Sequence, residues 1–244
     1  MTDQEMTPRR AALIVVIGLV ATTFGVPIAE FVIWPSLVDP ESIEQTVRNI
    51  RANEGAFLVA SFAYLVGFVG DVLVAWAIYY LLRPVSRSLA ALTAGFRAVQ
   101  AVIAIGAALN LFTAFRLLQS ESLAALGPDH LHAQVLVLLG SFGYEWSLAL
   151  VIFGIHLGLL GYLVYRSGYI PRLVGIALAI AGIGYVVYNL RPYLYPDAEI
   201  GFVFAAFAGE LVFLVWLAIW GWRIREPIPA PREDPRSILR GLDA

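Results

Sequence analysis

The chain has 244 residues, of which 60% are hydrophobic and 14% charged, with a mean hydropathy of +0.79 and a formal net charge of −2. That balance is too apolar for an ordinary soluble domain, and it offers no basic patch for a nucleic-acid partner. Cysteine is absent and all sixteen basic residues are arginine, which removes disulfides, thiolate ligands, cysteine nucleophiles, lysine Schiff bases and Walker-type phosphate loops.

Six apolar runs are each about as long as a bilayer crossing, which takes roughly 20 residues. They cover 11–34, 56–82, 89–117, 135–165, 173–190 and 201–222. The predicted fold is all-α, a polytopic six-transmembrane-helix bundle in the lipid bilayer. The first run is too long for a signal-peptide core, and Gly25 and Pro27 mark a kink in its second half, near Glu30. A loop follows in which Asp39 reads as an N-cap, Pro40 as a first-turn proline and Glu41 as a dipole-favouring acid. Ile43, Val47 and Ile50 then share a face, and Gly55 reads as a stop. This predicts a short interfacial helix in the first outer loop, lying on the membrane surface or capping a cavity between helices.

The second run places Tyr64, Phe68, Asp71 and Ala75 on one stripe, and the third does the same for Thr93, Arg97, Gln100, Ala104 and Ala107. His130 and His132 follow in an outer loop as an HxH pair without a third histidine, weak evidence for a metal; no metal site is predicted, and the sequence names no cofactor. The fourth run exceeds one crossing, so its start around Gly140 and Gly143 reads as bent or interfacial. It carries Glu145 and, eleven residues later, His156, beside the small-residue face of Gly154, Gly158 and Gly161. The fifth run offers Tyr185 and Asn189 at i and i+4, and Glu210 lies halfway along the sixth. Residues 223–244, rich in proline and charge, read as a disordered cytoplasmic tail. Eleven arginines fall on the side of the two termini and four on the other, so the positive-inside bias puts both termini in the cytoplasm. No internal repeat suggests an inverted-repeat transporter.

Counting 1.5 Å per residue puts Asp71, Gln100, His156 and Glu210 near one depth, with Arg97 one turn away. An ionisable group there costs roughly 2.5–3.5 kcal/mol on insertion scales, so such groups face partners, water or a ligand. Opposite signs predict two pairs, Asp71 with Arg97 and His156 with Glu210. These five residues are the ligand-binding or proton-relay candidates. Glu30 and Glu145, further out, are candidates for a polar entrance. A buried ion pair that only fixes helix register explains Asp71 and Arg97 as well, and a lone intramembrane histidine is as readily a satisfied hydrogen-bonding group.

Three segments carry a resemblance: FGIHLGLLGYLVYRSGYIPRLVGIALAIAGIGYVV at 153–187, RPVSRSLAALTAGFRAVQA at 83–101 and GELVFLVWLAIWG at 209–221, with the SGYIPR turn at 167–172 the most specific. In these the chain resembles the bacterial membrane family known as domain of unknown function 4386. The resemblance implies an integral membrane protein with no assigned activity, substrate or cofactor. It also implies recurrence at the positions of Arg97, Gln100 and Glu210 but not at His156. Three functions remain open: binding or proton-coupled transport of a small polar or amphipathic solute, by one copy or a homo-oligomer; an intramembrane lipid-modifying enzyme with a metal or acid/base site; and a non-catalytic accessory or sensor subunit. A bacterial cytoplasmic (inner) membrane is the expected location.

Overall fold

The computed structural model describes residues 6–120, 127–198 and 208–224. Among them the backbone is helix and short loop, without strand. Helix α1 (Pro8–Ile28) begins where the Thr7 hydroxyl accepts the Arg10 N–H and proline occupies the first turn, which needs no donor there. Pro27 removes a backbone donor near its end. The next turn, Ala29–Ile33, widens to π geometry before the single turn α2 (Trp34–Leu37). The expected irregularity is therefore a π turn immediately after Pro27, and it carries Glu30.

The interfacial helix forms as α3 (Ile43–Ala52), but its ends differ from the sequence reading. Ser42 is the N-cap, accepting from Gln45 N–H at 3.2 Å. Asp39 instead accepts the N–H groups of Glu41 and Ser42 at 2.9 and 3.1 Å, an Asx turn that ends just before the helix. Gly55 is no stop: α3 ends at Asn53, and α4 (Glu54–Leu82) starts at once. Val47 and Ile50 are buried in a cluster shared with Phe57, Leu131 and Val135, so α3 covers one end of the bundle.

After α5 (Arg87–Leu118), capped by Ser86, comes α6 (Pro128–Ser167), one unbroken helix of 40 residues. At 1.5 Å per residue it is about 60 Å long, twice a hydrocarbon core. Gly140 and Gly143 lie within its continuous helical run, and His130 and His132 sit in its first turns rather than in a loop. The SGYIPR turn reverses the chain. Gly168 adopts φ 73°, a left-handed conformation that glycine takes without a Cβ penalty. Ser167 Oγ donates to Val164 carbonyl and accepts from Ile170 N–H, and Pro171 caps α7 (Arg172–Leu194). Helix α8 (Ala208–Trp220) ends in a 3₁₀ turn, Gly221–Arg223.

Among the described residues, five helical stretches are long and apolar enough to cross a membrane: Pro8–Leu37, Glu54–Leu82, Arg87–Leu118, Pro128–Ser167 and Arg172–Leu194. Helix α8 is the described part of the sixth run. Residues 201–207 of that run, and the expected tail from 225 onward, lie outside the described residues.

The long helices pack in chain order as a ring: α1 on α4, α4 on α5, α5 on α6, α6 on α7, α7 on α8, and α8 back on α1. The α6–α7 seam is the most extensive. A Cβ on Gly154 would lie 2.6 Å from the Gly182 carbonyl oxygen, and one on Gly175 would lie 2.6 Å from that of Gly161, so the two backbones touch where any side chain would part them. Two apolar clusters fill the ring. One, toward the termini, includes Val15, Val74, Leu81, Leu157, Leu178 and Phe213; the other, beneath α3, includes Phe57, Tyr64, Ala107, Leu111 and Phe142. The polar residues of the sequence analysis fall between them.

Candidate functional site

Arg97 is the hub of that layer. Its side chain is 1% exposed and it donates from Nη2 to Asp71 Oδ1 at 2.6 Å and from Nη1 to Glu210 Oε1 at 3.1 Å. Nη1 also lies 3.4 Å from His156 Nε2. The other ring nitrogen of His156, Nδ1, is 2.8 Å from the Thr93 carbonyl oxygen. A carbonyl only accepts, so Nδ1 carries the proton and Nε2 is the acceptor that faces Arg97. Phe153 stacks its face against the guanidinium at 5.1 Å. Four helices thus converge on one cation: Asp71 from α4, Arg97 from α5, His156 and Phe153 from α6, and Glu210 from α8.

The expected Asp71–Arg97 pair is present. The expected His156–Glu210 pair is not: Arg97 lies between them, and His156 turns its donor to the α5 backbone. The geometry follows from length, because arginine reaches past its own helix while histidine, at 0% exposure, finds its partners on the helix it packs against.

A cavity of about 470 Å³ opens beside this layer, within the size range of small-molecule sites. Asp71, Arg97, Gln100 and Glu210 line one end, and Glu30, Thr22 and Thr23 of the α1 segment another; Trp146, Phe153, Tyr185 and Asn189 contribute walls. Phe31 and Leu211, both exposed, lie on its rim between α1 and α8. Gln100 is 2% exposed, yet among the described residues its Oε1 has no hydrogen-bond partner; neither has Arg97 Nε. Buried polar atoms are nearly always paired; these two are closed off from the cavity as well as unpaired.

Of the two entrance candidates, Glu30 reaches the cavity and accepts from the Tyr64 hydroxyl. Glu145 does not. It is exposed on the α5–α6 side and accepts from Asn110 Nδ2 at 3.0 Å. Eleven residues fall only about 20° from three full turns, so Glu145 shares the face of His156, and that face is turned to α5 and not into the cavity. Asn189 donates to the Tyr185 carbonyl and accepts from Ser147 Oγ, tying α7 to α6. The sequence analysis did not single out Trp146 or Phe153. Their signal is the run Phe142, Trp146, Ala149, Phe153, His156, whose 4-3-4-3 spacing follows one face of α6.

Long apolar helices around a buried polar layer are the features of a helical membrane protein. The chain belongs to the family described as Domain of unknown function (DUF4386), whose match covers residues 12–221. It is also similar to an uncharacterized protein of Archaeoglobus fulgidus, 37% identical over 161 residues, covering 66% of this chain and 83% of that one. No solved structure matches.

Proposed function

We propose that this protein binds a small polar or amphipathic solute in the cavity beside Arg97, as a membrane-embedded binding or proton-coupled transport protein. In this reading the chain has six spans, both termini lie on the cytoplasmic side of a bacterial inner membrane, and a second copy can complete the assembly. One observation supports it: the ion-paired layer of Asp71, Arg97 and Glu210, with Gln100, borders a cavity of solute size. The carboxylates at the same place, Asp71 and Glu210, supply the charge that a relay would alter. An enzymatic reading has less to draw on, since both nitrogens of His156 are engaged and neither reaches the cavity wall.

Native mass spectrometry of the protein released from mild detergent tests this reading. A stoichiometric organic mass on the wild type, lost in Gln100→Leu, is the expected result. An identical bare mass for both proteins, with both folded, would overturn the reading in favour of an accessory role.

A further inference from the structure

The sign of the cavity's charge narrows what it holds. Among the described residues that line it are three carboxylates, Glu30, Asp71 and Glu210, and one base, Arg97. Counted as ionised, the wall carries an excess of two negative charges. Arg97 is already bonded to two of those carboxylates, so its charge is more than neutralised before anything enters. An anionic solute would bring further like charge into a low-dielectric site, where such repulsion is large. The two unpartnered atoms of the layer do not set this sign, since Gln100 Oε1 takes a donor and the Arg97 Nε–H an acceptor. The walls add aromatic faces: Phe68, Trp146, Tyr185 and Tyr188 all border the space, and ring faces attract cations.

Resting on the binding function proposed above, we infer that the solute is an organic ammonium ion with an apolar body. Its N–H groups donate to the Glu210 or Asp71 carboxylate, and its body lies along Trp146 and Tyr185. Glu30, hydrogen-bonded to Tyr64, supplies a further carboxylate to the cavity wall. The exposed rim at Phe31 and Leu211 lets an apolar body enter from the side, between α1 and α8.

Three probes sharing one phenylethyl body separate charge from shape: radiolabelled 2-phenylethylammonium, 2-phenylethanol and 3-phenylpropanoate, measured by equilibrium dialysis against the full-length protein in lipid nanodiscs, with empty nanodiscs subtracted. The ammonium ion is expected to bind at one per chain, and the alcohol and carboxylate at least about tenfold more weakly, the ratio that follows from losing a hydrogen bond to a charged group. Glu210→Gln is expected to weaken ammonium binding by about tenfold or more, whereas Glu145→Gln, outside the cavity, leaves it unchanged. The comparison of probes on wild-type protein needs no variant to fold. Equal or tighter binding of the alcohol or carboxylate, or no binding of the ammonium ion, overturns the inference. If the mass spectra still show a bound uncharged or acidic molecule, the binding function survives that failure; if they show none, both fall together.

Discussion

Replacing Arg97 by methionine keeps an unbranched, flexible side chain, though a shorter one, and removes the charge that three side chains surround. Ion pairs at 2.6 and 3.1 Å and the contact with His156 Nε2 disappear, and Asp71 and Glu210 are left facing an apolar tip. Removing one partner of a buried ion pair costs about 3–5 kcal/mol, mostly because the other charge stays behind. Asp71→Asn is milder: its Oδ1 still accepts from Nη2 and Glu210 still neutralises the guanidinium, so the loss is about 1.5–3 kcal/mol, that of weakening one charged hydrogen bond. The combined replacement Arg97→Met with Asp71→Leu and Glu210→Leu removes every charge together, and by the same reasoning its stability returns to that of the wild type or above. Equilibrium unfolding with sodium dodecyl sulfate in decylmaltoside micelles, followed by tryptophan emission, measures all three. The reasoning is refuted if Arg97→Met lies within about 1 kcal/mol of the wild type, or if the triple variant is less stable than the single.

Other outcomes follow from particular contacts. A methyl group on Gly182 would meet the Gly154 carbonyl oxygen at 2.5 Å, while one on Gly158 meets nothing within 4 Å; the same unfolding assay should show Gly182→Ala losing about 1–3 kcal/mol and Gly158→Ala neutral or up to about 1 kcal/mol more stable. Tyr169 donates its hydroxyl to the Leu81 carbonyl at 2.6 Å, fastening the α6–α7 turn to α4, so Tyr169→Phe should cost about 0.5–1.5 kcal/mol there. Glu44, in the first turn of α3, is held below its ordinary value of 4.5 by a backbone hydrogen bond and then by the Ser42 hydroxyl. A lowered carboxylate stabilises the folded form above its unfolded value and loses that contribution as the pH falls through the folded one. Protection factors of the α3 amides, with the intrinsic pH dependence of exchange divided out, should therefore be constant from neutrality to about pH 4.5 and fall below it, and Glu44→Gln should abolish that step.

Depth was legible in the sequence, and with it the layer of Asp71, Arg97, Gln100, His156 and Glu210, because distance along a helix is a fixed rise per residue. Partner choice was not. It depends on side-chain reach and on the order of helices around the ring, and a one-dimensional count cannot tell that Arg97 would stand between His156 and Glu210. Helix ends were misplaced for a related reason: Asp39 and Ser42 are both good caps, and only Thr46, bonded to the Asp39 backbone at 2.9 and 3.2 Å, decides between them. Glu145 shows the same limit in another form. The spacing correctly aligns it with His156, and both face α5, but a count along one helix does not say which of its faces borders the cavity.

The packing of the helices in chain order bears on how the chain is made. Synthesis delivers α1, α4, α5, α6 and α7 one after another, and each meets its neighbour already in place, so no helix has to wait for a distant partner. Glu210 arrives last, on the helix that closes the circle. By then Arg97 is seated against Asp71 and His156, and its remaining donor is the acceptance test for the final segment. A nascent chain stopped before α8 would hold a complete wall with an open side, the form in which quality-control machinery would meet an unfinished copy.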